Sequence, residues 1–385
     1  MAIGGNGRRL AVLTAGALAS LAACIPAAGA SAATASAAAP PAATATVCSH
    51  ARTTTPAPAV LADVTAISAR DAWAVGWTSG GAPKPVLARW NGSTWSTVSS
   101  PALQAPAVLT AVAKFPGGIW AVGASGQTTG GASRTHLILR VTGSTVQPVP
   151  TRRPKRGKLL GVTATSPTNA WAVGYITAGG PLILHWNGTA WKRSALPRHS
   201  AGRINGVAAT SAANAWAINT RSRHGSQIWH WNGTRWSRVA TPTIAGQTFS
   251  LGGLAATSAK NAWAAGTSVP RDVSILHTVI LHWNGARWKR TPSPDLPGPD
   301  GDGLAAVSAS SADNAWAVGS STSGESLAEH WNGASWRVIS THSCGELAGV
   351  SVLPSGRAWA VGSVGNHTPQ ILQWNGSLWQ SVPLT

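Results

Sequence analysis

The stretch LLGVTATSPTNAWAVG, Leu159 to Gly174, is rewritten along the chain as INGVAATSAANAWAIN, LGGLAATSAKNAWAAG and LAAVSASSADNAWAVG. Self-similarity at a fixed period constrains a fold more than any composition does, because each unit must bury its apolar face against the next. The tryptophan of the AWA element recurs at Trp73, Trp120, Trp171, Trp216, Trp263, Trp316 and Trp359, at intervals of 47, 51, 45, 47, 53 and 43. A second element, W-N-G-x-x-W, starts at Trp90, Trp186, Trp231, Trp283, Trp331 and Trp374. Together the two elements take nineteen of the 21 tryptophans and leave only Trp77 and Trp229 outside.

Each copy reads as four short strands. Strand a is the small-residue run LGVTATS, which alternates. Strand b is AWAVG, with Trp and Val on one face and the alanines on the other. Strand c is PLILHW, and strand d is TAWKRSA. The Asn-Gly between c and d predicts a hairpin with a type I′ turn. Copy two has RVTGSTV here, so Val141 and Val146 replace both tryptophans at once. Two positions that change together across a hairpin are cross-strand neighbours, so these tryptophans are expected in the core between sheets. Seven four-stranded antiparallel copies of 43 to 53 residues predict an all-β, seven-bladed β-propeller.

The order L-x-x-V-x-A-x-S…AWAVG…IL-x-W-N-G-x-x-W resembles the sialidase-type and photosystem II assembly-factor-type propeller repeats, and more loosely kelch repeats. Multi-copy AWAVG…HWNG chains of this kind also resemble secreted proteins of high-GC actinobacteria. The resemblance implies a propeller over nearly all of the chain and implies no activity. Those repeats carry an Asp-box, S/T-x-D-x-G-x-T-W, at the c–d turn. Here Trp186 and its equivalents stand at the Asp position, so these are not Asp-boxes.

Residues 1–30 read as an export signal, with Arg8 and Arg9 before the apolar run LAVLTAGALASLAA, which is too short to span a bilayer. PAAGA (Pro26–Ala30) offers a cleavage site, whereas LAAC (Leu21–Cys24) resembles a lipobox in which Cys24 would be lipidated; both readings stand. General export and the twin-arginine route also both stand. Residues 31–57 form an Ala/Pro/Thr-rich linker, and 58–385 the propeller. An exported chain is expected at the cell surface or outside the cell. There, Cys48 before blade one and Cys344 at the start of blade seven are expected to form a disulfide.

Lysine and arginine number 29 against 10 acidic residues, a net charge of +19 that draws the chain to anionic partners. A cell-wall polymer, a glycan or a surface protein fits an exported chain. Nucleic acid is disfavoured by export and by the lack of a basic groove interleaved with spare aromatics. Membrane contact is expected only through a lipidated Cys24, and a monomer is expected. In a blade the a–b and c–d turns share one face, and the b–c and d–a connections share the other. The c–d hairpin has constant length, whereas the opposite connections vary, so unusual sequence collects on one rim. That rim carries Arg152, Arg153, Lys155, Arg156 and Lys158, the expected binding cluster.

Glycoside hydrolysis needs a positioned carboxylate pair, and the ten carboxylates show none in sequence. Tyr175, the only tyrosine, has no evident acid beside it. No catalytic constellation and no cofactor motif is found, so a non-catalytic binding or scaffold role is expected. A protein-interaction scaffold without a glycan role and a glycan-active hydrolase or lyase are the alternatives. His185, His230, His282 and His330 precede the hairpin tryptophan in separate copies and read as solvated strand positions rather than a metal ring. Asp295, Asp300 and Asp302 in PDLPGPDGDG are weak metal candidates whose spacing misses the EF-hand loop.

Overall fold

The computed structural model describes residues 58–126, 135–151, 156–177, 180–221, 225–243, 246–270, 275–296, 301–365 and 368–385. They form seven four-stranded antiparallel sheets, each built from one run of chain in the order a-b-c-d. Blade 1 comprises Ala59–Ser68, Asp71–Thr78, Pro85–Trp90 and Trp95–Thr97. The later blades span 107–148, 157–193, 203–239, 247–291, 302–338 and 346–381. Each strand a touches the strands a of both neighbouring blades, and Glu346–Val352 of blade 7 touches Ala59–Ser68, so the ring is closed.

The axis explains the small residues. Strand a is not the plain alternating strand that the sequence predicts. All seven carry a bulge, as between Leu61 and Asp63 or between Leu251 and Gly253. The bulge brings a strand-a carbonyl against the last residue of AWAVG. A Cβ on Gly76, Gly123, Gly319 or Gly362 would lie within 1.8–1.9 Å of that oxygen, so the motif ends in glycine for want of space. Blade 4 has Asn219 there. It is wholly buried, and its Nδ2 donates to the carbonyls of Ala201 and Arg203 at 3.1 and 3.3 Å.

The seams between blades are tryptophan. At every seam but that between blades 1 and 2, the strand-b Trp packs on both hairpin tryptophans of the following blade: Trp120 on Trp186 and Trp191, Trp171 on Trp231 and Trp236, and so on round to Trp316 on Trp374 and Trp379. Centroids lie 4.8–5.3 Å apart, and the second hairpin Trp stands edge-to-face at 78–90°. The closing seam repeats this with Trp359 on Trp90 and Trp95. The hairpin pairs face each other directly, and Val141 pairs with Val146 in blade 2, as the joint replacement implied. The first hairpin Trp also donates its indole N–H to an a–b turn carbonyl, at 3.0–3.1 Å in blades 1, 3, 4, 5 and 6, which places both turns on one face.

The hairpin turn differs from the type I′ expectation. Because Trp90 pairs with Trp95, the central residues are Gly92 and Ser93, and only the glycine has positive φ. The asparagine instead accepts a backbone N–H three residues on, at 3.0 Å in all six copies.

The histidines are not solvated positions. His185 stacks on Trp171 with centroids 4.0 Å apart, and its Nε2 is 2.7 Å from Asn169 Oδ1. Asn169 in turn donates to Thr165. Blades 4, 5 and 6 repeat this with His230, His282 and His330, whose imidazoles are half-buried and have pKa values lowered by that burial. Blade 1 substitutes an ion pair, Arg89 with Asp71 at 3.1 Å, and Arg89 lies over Trp73.

The leader, the linker, Cys24 and Cys48 lie outside the described residues. Cys344 is engaged in the fold rather than free. We propose that Cys344 pairs with Cys48, a bond that would clasp the first and last blades. The chain end already ties blade 7 to blade 1: Thr385 N donates to Trp95 O at 2.9 Å, and Thr97 N donates to Thr385 O at 3.1 Å. Closing so long a loop adds up to ~5 kcal/mol. Intact mass under non-reducing conditions is expected to be lower by two hydrogens than after reduction, and reduction is expected to lower Tm. An unchanged mass would refute the pairing.

Candidate functional site

Strands b end and strands a begin on the loop-rich face, so seven paired positions stand at the level of its mouth, with Val108 and Ala124 of blade 2 buried. The pairs are Val60–Trp77, Val108–Ala124, Lys158–Tyr175, Arg203–Thr220, Ser250–Thr267, Gly303–Ser320 and Glu346–Ser363. The aromatic and cationic side chains thus come from blades 1, 3 and 4. Blade 2 contributes only Val108 and Ala124 at this level. Across it, Lys158 Nζ of blade 3 reaches to 5.6 Å from the Trp77 ring centroid of blade 1. That is cation–π range, and both partners are half-buried. His136 Nε2 of blade 2 lies 3.2 Å from Tyr175 O, and burial lowers its pKa.

Of the expected basic cluster, Arg152, Arg153 and Lys155 lie outside the described residues. Arg156 is exposed at the rim, bridged to Thr135. Lys158 sits inside the mouth. Trp77, which fell outside the repeat in sequence, is therefore a mouth residue. The signal was its position directly after AWAVG, where the other copies carry Ala124, Tyr175, Thr220, Thr267, Ser320 and Ser363. Trp229, the other outlier, is wholly buried core in blade 4.

The described part of the acidic loop, through Leu296, folds back on blade 5. Asp295 accepts from Thr278 N at 2.8 Å and from Thr278 Oγ1 at 3.1 Å, and its other oxygen meets His277 Nδ1 at 2.9 Å. Asp302 is buried and accepts from Leu296 N. Asp300 lies outside the described residues. Among the described residues no group of three or more His, Cys, Asp or Glu is placed to hold a metal. Sequence reading missed Glu329, which is wholly buried in strand c of blade 6. Other blades carry Ala88, Leu139, Leu184, Trp229, Leu281 and Leu372 there. Both its carboxyl oxygens lack a hydrogen-bond partner. Burial, reinforced by the charges of Asp295 and Asp302, pushes its pKa up to about 9.

At the axis, Asp63 takes a position that is Gly161, Gly206, Gly253 or Gly349 in other blades. Its carboxylate joins blades 1 and 2 by accepting Val112 N at 2.9 Å, and it accepts Val64 N at 2.8 Å. Burial raises its pKa to about 7 against these two donors.

No family model and no curated protein matches the chain. Solved structures do match. A YCF48 structure with a bound D1 peptide is similar over 83% of this chain and 92% of that one, at 16% identity and a TM-score of 0.54. YCF48 from Cyanidioschyzon merolae is similar over 83% and 96%, at 17% identity and 0.54. A glycoside hydrolase family 74 xyloglucanase from Xanthomonas campestris is similar over 84% of this chain and 54% of that one, at 12% identity and 0.58. At such identities the likeness is one of fold, and the class it defines is the seven-bladed propeller.

Glu329 provides a pH-dependent expectation. Its proton is bound in the folded state up to about pH 9 but leaves the unfolded chain near the ordinary value of 4.5. Between those limits the folded state holds more protons, so this residue's contribution to stability falls as pH rises. Glu329→Leu is expected to stabilise by about 1–3 kcal/mol through removal of unpaired buried polar atoms. The gain measured by denaturant unfolding should be larger near pH ~8 than near pH ~5. A gain that shrinks with rising pH would contradict the assignment.

Proposed function

We propose that this chain is an exported, non-catalytic binding or scaffold propeller. In this reading its loop-rich mouth engages an anionic wall polymer, a glycan or a surface protein. The observation that carries the reading is the gathering of Trp77, Lys158, Tyr175 and Arg203 around one end of a closed ring, with the Lys158–Trp77 contact bridging blade 2. A ring of this kind holds such groups without ordering cost, which is what a recognition surface needs. The excess of basic residues sets the sign of the partner. The YCF48 structure has a peptide bound to a similar fold, which supports peptide capture as one use of this architecture. Export through residues 1–30 and membrane attachment through Cys24 belong to the same proposal.

A glycan-active enzyme is the weaker reading. Of the three carboxylates that lie under one another's influence, Glu329 and Asp302 are closed off from solvent, and Asp295, which is partly exposed, is held by Thr278 and His277.

Replacing Arg152, Arg153, Lys155, Arg156 and Lys158 together with Ser should remove most binding to purified wall polymer or surface fraction and lower Tm only slightly, through the lost Lys158–Trp77 contact. Binding by the wild-type chain should weaken roughly tenfold or more from low to physiological salt, as screening shortens to about 8 Å. Replacing His185, His230, His282 and His330 should lower Tm, since each stacks on a seam tryptophan, and leave binding intact. Retention of binding by the basic-loop variant would overturn the assignment of this face.

A further inference from the structure

The seam between blades 1 and 2 is the only one of the seven whose hairpin carries no indole pair. Trp73 meets Val141 and Val146 there instead. The seam interior is filled all the same, with Trp73 left 4% and Val141 1% exposed. The d–a connection of blade 1 makes a short 3₁₀ turn, Pro101–Leu103, and Leu103 packs into the same cluster. On the turn face the seam stays open as a cavity of about 460 Å³, bounded by Trp73, Val141, Pro116, Lys114, Arg89 and Ile67 among others. This volume is in the range of small-ligand sites, and the face is opposite to the loop-rich mouth.

Three features say what would fill it. The first is shape, because at the six other seams the strand-b Trp is met by two indoles at 4.8–5.3 Å. The second is a free acceptor position. Pro116 stands four residues before its strand-b Trp, as do Ala69, Pro167, Ala212, Ala259 and Ala312. Each of those five carbonyls accepts an indole N–H, whereas Val141 has none to give to Pro116. The third is charge. Arg89 is paired with Asp71, which leaves Lys114 as the net charge on the wall; its Nζ donates to Ala66 O at 2.7 Å and has further protons to give. Ile67, one of the three exposed large aliphatic side chains among the described residues, forms an apolar lip.

We propose that this open seam binds an indole ring bearing a carboxylate. The ring would pack against Trp73, its N–H would meet the Pro116 carbonyl, and its carboxylate would meet Lys114. The same chemistry is offered by a free indole acid and by a peptide ending in tryptophan.

The test is calorimetric titration of the full chain with N-acetyl-tryptophan, its neutral amide, and the peptide Ala-Ala-Trp. The acid should bind, and the neutral amide should bind about tenfold more weakly. Lys114→Met should abolish that difference without touching amide binding. Val141→Trp with Val146→Trp, which refills the seam from within, should eliminate binding of all three. If that variant does not fold, Ile67→Asp at the exposed lip should weaken all three in its place. A peptide that binds better than the acid would assign the site to a chain terminus, and equal affinity would assign it to a free small molecule. No heat from any probe at millimolar concentration, or undiminished binding in the refilled seam, would overturn the proposal. Because the loop-rich mouth is untouched by these variants, polymer binding there should persist in all of them.

Discussion

The structure depends on an indole cluster that belongs to no single blade. A strand-b tryptophan has its own blade on one side and the hairpin pair of the next blade on the other. Neither half is complete alone, so each blade covers its apolar face only beside its neighbour. This is why the tryptophans recur at the blade period and why the closing seam uses the same contact as the interior ones, with the Thr385–Trp95 bridge added. Trp359 finds in Trp90 and Trp95 what Trp171 finds in Trp231 and Trp236. The ordering at the axis follows the same logic: bulged strands a with glycine or alanine let seven backbones meet where bulky side chains would not fit.

Against that repetition, the departures carry the information. Blade 2 gives up its indoles and leaves a cavity. Blade 6 replaces an apolar core residue with Glu329, a carboxyl kept protonated by its surroundings. Blade 1 places Trp77 at the mouth, where most blades carry Ala, Ser or Thr, and blade 3 sends Lys158 to it. Each breaks a rule that the other copies keep, at a cost in packing or desolvation that the remaining seams can carry.

Much of the fold was legible because period, pairing and alternation are written in residue types. The joint loss of two tryptophans at Val141 and Val146 is enough to mark those positions as a cross-strand pair. Other features were not legible, for physical reasons. LGVTATS alternates equally well with or without a bulge. Asn-Gly suits a type I′ turn, but direct pairing of the two tryptophans moves the turn centre to the glycine and the residue after it. A histidine beside an apolar strand residue looks outward until the Asn169 and Trp171 of its own blade are seen to enclose it. Glu329 sat at a core position in a strand whose other copies are apolar, and that contrast was the available signal.

The central claim is that the closing seam is held as the interior seams are. A double-mutant cycle measures it, with Trp359→Phe and Trp95→Phe across the closure and Trp216→Phe and Trp288→Phe across an interior seam, read by denaturant unfolding. Coupling energies of about 0.5–3 kcal/mol, equal at the two seams within error, are the expected result. A coupling present at Trp216–Trp288 and absent at Trp359–Trp95 would mean that the ring does not close through its tryptophans.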